Sequence, residues 1–276
     1  MSADRQGLLA AAEAAARAGG AVVAEHFGRL ASGVAAKAPG DYVSEVDLES
    51  EATIKAALAV TAPGVDFFGE EGGGDRDGGP GGGGVPKLTW VVDPLDGTAN
   101  FLRGFPVVGV SVALVEAGRP VAGVVHAPLL DETYTAAAGA GAWRDGRRLA
   151  VSDRGVERSV FLTGFPFKIK HRLPEYRRVF EGAFLAGEDL RRPGAAALDL
   201  AWTAAGVFDG FFELGLGPWD VAAGALLIAE AGGIVTDWTG DPDAWFRTGD
   251  VLAGPPPVHE LLLRLATGAG AGEPGP

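Results

Sequence analysis

The sequence predicts an α+β fold in which helices and sheets form separate layers. Two observations support this prediction: helical segments precede a run of strand-like segments at 87–139, and mixed helices and strands follow that run. A regular alternation of strand and helix would instead predict a parallel sheet wound between helices. With 276 residues, 47% of them hydrophobic, the chain is long enough to bury a sizeable core.

The first third of the chain predicts two helices followed by a short buried strand. Apolar residues at helical spacing indicate the first helix, and Ser44 followed by Asp47 indicates the N-terminal cap of the second. Pro39 and Gly40 predict a loop before that cap, and the run VDFFGEE indicates the strand. These elements are predicted at 3–27, 44–60 and 65–71.

A glycine-dominated run, GGGDRDGGPGGGG, occupies residues 72–84. A phosphate-binding loop would continue with Lys-Ser or Lys-Thr and open a helix, whereas this run leads into a strand. We therefore predict a flexible surface loop. Because Glu70 lies at its base, we also hypothesise that the loop forms a mobile flap over a site.

The remainder of the chain predicts an antiparallel meander followed by mixed strands and helices. Turn residues separate the strand-like runs, and Pro at the start marks the helices at 174 and 218. Strands are predicted at 87–93, 107–118, 120–128, 132–139, 159–165, 209–217 and 251–255. Helices are predicted at 174–187, 195–206, 218–233 and 258–266. Residues 1–267 are predicted to form a single unit, with a disordered tail at 268–276.

Composition and charge exclude several classes of function. The net charge of −13 and the pI of about 4.7 argue against binding to nucleic acid or to an anionic membrane. The absence of cysteine excludes disulfides, thiolate nucleophiles and cysteine-based metal sites. The N-terminal segment lacks the basic-then-apolar order of a signal peptide. No apolar run is expected to reach the roughly 20 residues that span a bilayer, so a cytoplasmic protein is predicted.

Acidic residues stand at three places beside hydrophobic elements. Glu70 follows VDFFG, Asp93 and Asp96 follow LTWVV, and Asp220 lies at the start of a predicted helix. A tight turn lets Asp93 and Asp96 point into one cavity. Two carboxylates held close repel each other, and a divalent cation removes that repulsion. Hard oxygen ligands select Mg²⁺, Mn²⁺ or Ca²⁺, so the acids predict a metal site.

Each acidic group also has a structural interpretation. DPLDG alone is an ordinary polar turn, Glu70-Glu71 is a solvated loop edge, and Asp220 is a charge at a helix N-terminus. The joint pattern favours the metal site, because each acid follows a buried run and none lies in a charge-rich stretch. A haloacid-dehalogenase-type phosphatase is disfavoured, since its two acids are two residues apart and Asp93 and Asp96 are three apart.

The motifs around these acids resemble those of the inositol monophosphatase family. They are GEE at 69–71, WVVDPLDGTANF at 90–101 and GPWDVAAGALLIAEAGG at 217–233, and the similarity extends from about residue 5 to residue 265. The resemblance implies a layered α-β-α-β-α sandwich and a homodimer. It further implies a lithium-sensitive phosphatase with two or three Mg²⁺ ions, for which Mn²⁺ substitutes and which Ca²⁺ inhibits.

The resemblance also assigns roles to individual residues. Asp47 and Thr98 would form a hydrogen-bonded pair that polarises the attacking water, which Glu70 also helps to hold. The implied metal ligands are Glu70, Asp93, the backbone carbonyl of Leu95, Asp96 and Asp220. The implied substrate-binding residues are Gly97, Thr98, Gly194, Ala195, Ala196, Glu213 and Asp220. Ala195 lacks the hydroxyl that many family members carry, which predicts a missing side-chain contact.

The implied reaction is hydrolysis of a small phosphorylated polyol or sugar, above all myo-inositol monophosphate, by metal-activated water without a phosphoenzyme. Fructose-1,6-bisphosphatase, NADP(H) phosphatase, nucleotide 3′-phosphatase and histidinol-phosphatase activities are alternatives within the superfamily. A non-catalytic member that binds metal or a partner is a further alternative. An enzyme is favoured over it, because every implied ligand position is filled.

Two surface features keep open interpretations. A local basic patch either attracts an anionic substrate or pairs with the acidic surface. Its members are Lys168, Lys170, His171 and Arg172. Asp199 is predicted to pair with Arg191 or Arg192 rather than to support the substrate pocket.

Overall fold

The computed structural model describes residues 3–29, 35–38, 41–72 and 88–269, and it shows a layered α+β fold. The helices are α1 (Ala3–His26), α2 (Glu45–Thr61), α3 (Thr98–Phe101), α4 (Leu173–Ala186), α5 (Ala196–Ala204), α6 (Pro218–Glu230), α7 (Trp245–Thr248) and α8 (Pro256–Thr267). The strands are β1 (Ala35–Ala38), β2 (Asp41–Val43), β3 (Asp66–Gly69), β4 (Leu88–Asp96), β5 (Gly109–Glu116), β6 (Arg119–Ala127), β7 (Glu132–Ala137), β8 (Gly141–Arg144), β9 (Arg147–Arg148), β10 (Val160–Thr163), β11 (Asp189–Arg191), β12 (Gly210–Glu213), β13 (Ile234–Thr236) and β14 (Val251–Gly254). Short 3₁₀ segments lie at Val156–Arg158 and Phe167–Arg172.

Within the described residues, two large sheets form the β layers. One runs in the order β3-β4-β5-β6-β7-β8-β9; β3 and β4 are parallel, and the later neighbours are antiparallel. The other runs β11-β10-β12-β14-β13, with β10 parallel to both β11 and β12. The predicted antiparallel meander is confirmed as β5, β6 and β7.

The helices form three layers around these sheets. α1 and α2 cover one face of the sheet that begins with β3, and α5 and α6 lie between the two sheets. α4 and α8 cover the outer face of the second sheet. This order confirms the α-β-α-β-α sandwich that the family resemblance implies.

Alternation of side chains along the strands explains how each sheet buries both faces. In β5, Val112 packs in the cluster with α1 and α2, whereas its neighbour Ala113 packs in the cluster with α5 and α6. In β12, Phe211 faces the helices between the sheets and Phe212 faces α4 and α8. The strands are therefore apolar on both faces, and acids at their ends stand out in the sequence.

The prediction that no apolar segment reaches the length of a membrane span is wrong for α1. Gln6–His26 has a mean hydropathy of 1.3 and is long enough to cross a bilayer. In the structure its alanine-rich face packs on α2, β5 and β6, with Ala12, Ala15 and Ala16 fully buried. The small residues on this face let α1 pack closely against its neighbours in the core.

Several short elements were not predicted. The segment at 36–43, predicted as a loop, forms β1 and β2, which pair as an antiparallel hairpin. The short strands β8, β9, β11 and β13 also lie outside the predicted set. Most of the glycine-rich run at 72–84 and the tail from residue 270 onward lie outside the described residues.

Candidate active site

Strands β3 and β4 bring the first two acidic segments together. They run parallel, with Gly69 beside Val92. The backbone N–H of Glu70 continues this pairing by donating to the Val92 carbonyl oxygen at 3.1 Å. Glu70 therefore leaves the sheet next to Asp93, the residue that follows Val92 on β4.

A bulge in β4 turns both aspartates toward one cavity. Asp93 pairs with Ser111 and Asp96 with Gly109, so β4 holds one more residue than β5 between these pairs. The N–H of Leu95 donates to Asp93 Oδ1 at 2.9 Å, which stabilises the bulge from within. The turn then closes at Gly97, whose φ of 89° lies in the left-handed region that glycine tolerates.

Asp220 reaches the same place from the first turn of α6. Its Oδ2 accepts the Gly217 N–H at 2.7 Å and so caps the helix. The Ser111 hydroxyl, opposite Asp93 in the ladder, donates to the Trp219 carbonyl oxygen at 2.9 Å. The Trp219 ring packs on Phe68 of β3, with 5.5 Å between ring centroids. These two contacts of Trp219 hold Asp220 beside β4.

The acids converge. One carboxylate oxygen each from Asp93, Asp96 and Asp220 lies within 4.8 Å of the other two, and Glu70 lines the same cavity. We call these four residues the acidic floor. Burial, followed by the charges of Glu70, Asp220 and Asp96, raises the pKa of Asp93 well above its ordinary value. Burial, followed by the charge of Asp220, raises the pKa of Asp96 to about 8.

This arrangement suits hard divalent cations. Several carboxylates crowded into a buried site are unfavourable as anions, which is why their pKa values rise. A bound cation reverses the repulsion, and carboxylate oxygens are the ligands that Mg²⁺, Mn²⁺ and Ca²⁺ prefer. The residues of the acidic floor therefore fit a metal centre.

Asp47 and Thr98 lie beside the acidic floor and contact each other. The Thr98 hydroxyl is 2.8 Å from Asp47 Oδ1 and 3.1 Å from the Leu95 carbonyl oxygen. The other carboxylate oxygen of Asp47 accepts both the N–H and the hydroxyl of Ser44. The predicted capping pair at the start of α2 is thus present, and it fixes Asp47 behind Thr98, which lines the cavity.

The residues predicted on the substrate side divide into two groups. Gly97, Gly194, Ala196 and Glu213 line the cavity together with the acidic floor. Ala195 is fully buried and is absent from the described lining. Burial, followed by the charge of Asp220, raises the pKa of Glu213 to about 8.

The start of α5 is tied to the acidic floor. Asp96 Oδ1 accepts the Ala196 N–H at 3.1 Å, and Oδ2 accepts the Ala197 N–H at 2.8 Å. These bonds place the 194–196 segment beside Asp96. The Ala196 N–H already donates to Asp96 in this structure, so a direct hydrogen bond from that N–H to substrate remains a prediction.

Apart from Lys168, which belongs to the predicted basic patch, sequence reasoning missed a second wall of the cavity, which we call the aromatic rim. It comprises Phe165, Phe167, Lys168 and Arg192. The Arg192 guanidinium lies over both rings, 5.9 Å from the Phe165 centroid and 5.5 Å from that of Phe167. Phe165 and Phe167 are 41% and 48% exposed. The rim residues lie in two separate segments, 165–168 and 192, and no local pattern indicates that these segments meet.

The structure also resolves the two open surface features. Of the basic patch, Lys168 lines the cavity, whereas Arg172 binds both oxygens of Asp250 at 2.8 Å. The predicted pairing of Asp199 is wrong: Arg191 pairs with Asp189 and Arg192 stacks on the rim phenylalanines. Asp199 is instead 1% exposed, and its Oδ1 has no hydrogen-bond partner among the described residues. Burial raises its pKa well above the ordinary value.

Comparison with known proteins agrees with this geometry. The model of the inositol monophosphatase family matches residues 4–270. The chain is 37% identical over 260 residues to a fructose-1,6-bisphosphatase/inositol-1-monophosphatase of Aquifex aeolicus, covering 94% of each chain. It is 42% identical over 262 residues to the Nus factor SuhB of Pseudomonas aeruginosa, covering 94% of this chain and 95% of that protein.

Solved structures show the same likeness. The extragenic suppressor protein suhB of Bartonella henselae superimposes with a TM-score of 0.85 at 37% identity, covering 95% of this chain and 99% of that one. The inositol monophosphatase of Anabaena gives a TM-score of 0.81 at 34% identity, covering 95% and 96%. With its acids converging at one end of β4 and these matches spanning nearly its whole length, the chain belongs to the inositol monophosphatase family, a family of metal-dependent phosphatases.

Proposed function

We propose that the protein is a Mg²⁺-dependent phosphatase whose substrate is a small phosphorylated polyol, above all myo-inositol monophosphate. The observation that carries the proposal is the convergence of Asp93, Asp96 and Asp220 within 4.8 Å of one another beside Glu70. Family membership supports a phosphatase. The identity of the ion and of the alcohol is our inference.

In this proposal the acidic floor and the Leu95 carbonyl oxygen would hold two or three Mg²⁺ ions. Such ions, when bound, lower the pKa of coordinated water and neutralise charge on the phosphoryl and leaving oxygens. Mn²⁺ is expected to replace Mg²⁺, and Li⁺ and Ca²⁺ are expected to inhibit.

The chain's own residues then orient the reactants. Thr98 presents its hydroxyl oxygen to the attacking water, while that hydroxyl donates a hydrogen bond to Asp47 Oδ1 at 2.8 Å. Glu70 faces the same water from the end of β3. The backbone N–H groups of Gly97 and Thr98 are directed to the phosphate, as in a turn that presents amides to an anion. Glu213 accepts hydrogen bonds from substrate hydroxyls.

A sugar bisphosphate is the second candidate substrate, and one observation favours it. Arg192 is exposed, lines the cavity and forms no ion pair with a carboxylate of the described residues. A guanidinium is suited to bind a phosphate with two parallel hydrogen bonds. A second phosphate at the rim is therefore a ligand of the right charge, and a relative named for both activities lies at 37% identity.

The test is a panel of phosphate esters compared by kcat/KM, with phosphate release measured against Mg²⁺ concentration. We expect inositol monophosphates to lead, with fructose 1,6-bisphosphate as the second candidate. NADP and 3′-phosphoadenosine 5′-phosphate are expected to rank lower. Mg²⁺ binding without turnover of any ester would contradict the enzyme and favour a non-catalytic binding protein.

Assembly and location complete the proposal. We propose a cytoplasmic protein that forms a homodimer, the latter because the family resemblance implies it. The net negative charge argues against nucleic acid and anionic membrane as ligands. Light scattering coupled to size-exclusion chromatography tests the dimer. A mass of one chain across the working concentration range would contradict it.

A further inference from the structure

One face of α2 contacts three separate segments of the site. Asp47 Oδ1 accepts the Thr98 hydroxyl at 2.8 Å, and the Ser50 hydroxyl donates to the Pro94 carbonyl oxygen at 2.9 Å. One residue further, Glu51 contacts the chain that follows Glu70. Residues three and four apart lie on one helix face, so a single rigid helix reaches all three segments.

Glu51 makes the most specific of these contacts. Its Oε2 accepts the N–H of Glu71 at 2.9 Å, and its Oε1 accepts the N–H of Gly72 at 2.7 Å. Together with the bond from the Glu70 N–H to the Val92 carbonyl oxygen, three consecutive amides are held. The chain is therefore held on both sides of the Glu70 side chain: by Val92 at the Glu70 N–H, and by Glu51 at the two N–H groups that follow.

Glu51 is buried, so its carboxylate depends on these two hydrogen bonds to replace the water it has lost. The residue is 7% exposed, and no Lys or Arg of the described residues forms an ion pair with it. Burying an unpaired carboxylate is costly unless hydrogen bonds compensate for the lost water. The two amides supply charge-assisted bonds to both oxygens, which are roughly twice as strong as neutral ones.

Gly69 shows how closely the carboxylate approaches this turn. A Cβ placed on Gly69 would collide with Glu51 Oε2. The φ of Gly69 is not in the left-handed region. A larger residue here would therefore have to displace the Glu51 carboxylate or the nearby Phe67 ring, and backbone conformation does not oppose it.

We propose that Glu51 is a positioning residue of the metal centre: its carboxylate holds the Glu71 and Gly72 amides and thereby sets the direction in which Glu70 enters the cavity. This inference rests on the proposed metal role of Glu70. Glu51 itself does not line the described cavity, so it acts through Glu70 and not on substrate or metal. Outer partners that orient metal ligands typically contribute about 10- to 100-fold in metal affinity.

The test is Glu51→Gln, with Glu49→Gln as the matched control. The glutamine keeps the shape but offers one acceptor oxygen for two amides. Glu49 lies on the exposed side of the same helix, where it pairs with His26 at 3.4 Å. Mn²⁺ binding to the substrate-free protein is measured by the loss of the free-ion EPR signal. We expect Glu51→Gln to weaken Mn²⁺ binding about tenfold and Glu49→Gln to leave it unchanged.

Two further measurements separate positioning from a general loss of structure. Amide hydrogen exchange should accelerate at Glu71 and Gly72 in Glu51→Gln while the β4 amides stay protected. High Mg²⁺ should restore kcat, because affinity for the ion is the property that is lost. Gly69→Ala, which displaces the carboxylate without removing it, should weaken Mn²⁺ binding in the same way if Glu51→Gln folds poorly.

The outcomes distinguish this inference from the proposed function. If the unaltered protein binds Mn²⁺ and Glu51→Gln binds it equally well, the positioning role is wrong and the phosphatase proposal stands. If the unaltered protein binds no Mn²⁺, the proposed metal centre itself is wrong. Equal Mn²⁺ affinity in Gly69→Ala would likewise overturn the role of Glu51.

Discussion

The acidic floor and the aromatic rim face each other across one cavity but are held in different ways. Asp93 and Asp96 are 1% and 7% exposed, and backbone N–H groups donate to both. Phe165 and Phe167 are nearly half exposed, and ring contacts with Arg192 hold them. Under the proposed function, the floor would bind the phosphate that all esters share, whereas the rim would contact the variable part of the substrate. Changes in the floor should therefore abolish turnover, and changes in the rim should alter substrate choice.

Asp93→Asn should have the largest effect. Asp93 lies close to Glu70 and Asp220. The substitution replaces one carboxylate oxygen by an amide nitrogen and removes the negative charge that would help to hold the metal. We expect kcat/KM to fall about 1,000-fold, as a metal site contributes several kcal/mol to the transition state. Phosphate release with Mg²⁺ titration measures this, with the exposed Asp153→Asn as control. A near-normal Mg²⁺-dependent rate would contradict the assignment.

Thr98→Ala should have the next largest effect. It removes the hydroxyl that Asp47 holds at 2.8 Å. Loss of a group that orients and polarises the nucleophile typically costs about 100-fold or more. We expect kcat to fall by about that factor with little change in KM, and Thr98→Ser to recover most of it. An unchanged kcat in the alanine variant would remove Thr98 from the reaction.

Arg192→Gln sharpens the comparison at the rim. If the exposed Arg192 guanidinium binds a second phosphate, as proposed, its removal should lower kcat/KM for fructose 1,6-bisphosphate about tenfold. Activity toward inositol monophosphate should change by less than about twofold. Arg191→Gln, next to it and paired with Asp189, is the control. Equal losses on both substrates would show that the rim does not select for a second phosphate.

The pH dependence of stability tests the crowding of the carboxylates. Burial and the charge of Asp220 raise the pKa of Glu213 from 4.5 to about 8. The folded protein therefore binds this proton more tightly than the unfolded chain does. The stabilisation is full below about pH 4.5 and is lost as pH rises to about 8. In EDTA, the Tm of the unaltered protein should fall relative to Glu213→Gln, by a few degrees, between pH 5 and pH 9. A Tm difference between the two proteins that does not change with pH would contradict the raised pKa of Glu213.

Ala195→Ser should have the smallest effect on catalysis. The resemblance predicts a missing side-chain contact at Ala195, yet the residue is fully buried and outside the described cavity lining. We expect kcat/KM to change by less than about twofold. The Tm should fall by a few degrees, since a buried hydroxyl without a partner is unfavourable. A large gain in activity would show that the hydroxyl reaches substrate.

Local chemistry made much of the fold and the floor predictable. Ser44 and Asp47 form a cap through bonds within one turn, and the β4 run ends in a turn that its own proline and glycine encode. The layered fold was predictable from the helical and strand periodicity of the apolar residues, and these residues form the buried core clusters of the structure. These signals operate over a few residues, so a single sequence displays them.

The rim and the outer contacts depend on distant parts of the chain, and no local pattern encodes them. Arg192 meets Phe167 across 25 positions, and Glu51 reaches Glu71 across 20. Asp199 was expected to form an ion pair with Arg191 or Arg192, as helix carboxylates often do with nearby arginines. Instead, α5 buries Asp199 between the sheets. The length of the apolar segment in α1 was underestimated, because its many alanines raise the mean hydropathy although each side chain is small.

Diffraction from crystals soaked in Mn²⁺, with anomalous data collected at the manganese edge, tests the central claim most directly. The account predicts anomalous peaks within about 2.5 Å of carboxylate oxygens of Asp93, Asp96 and Asp220, with at least one peak also bound by Glu70. Mn²⁺-supported turnover by a protein whose acidic floor shows no anomalous peak would contradict it.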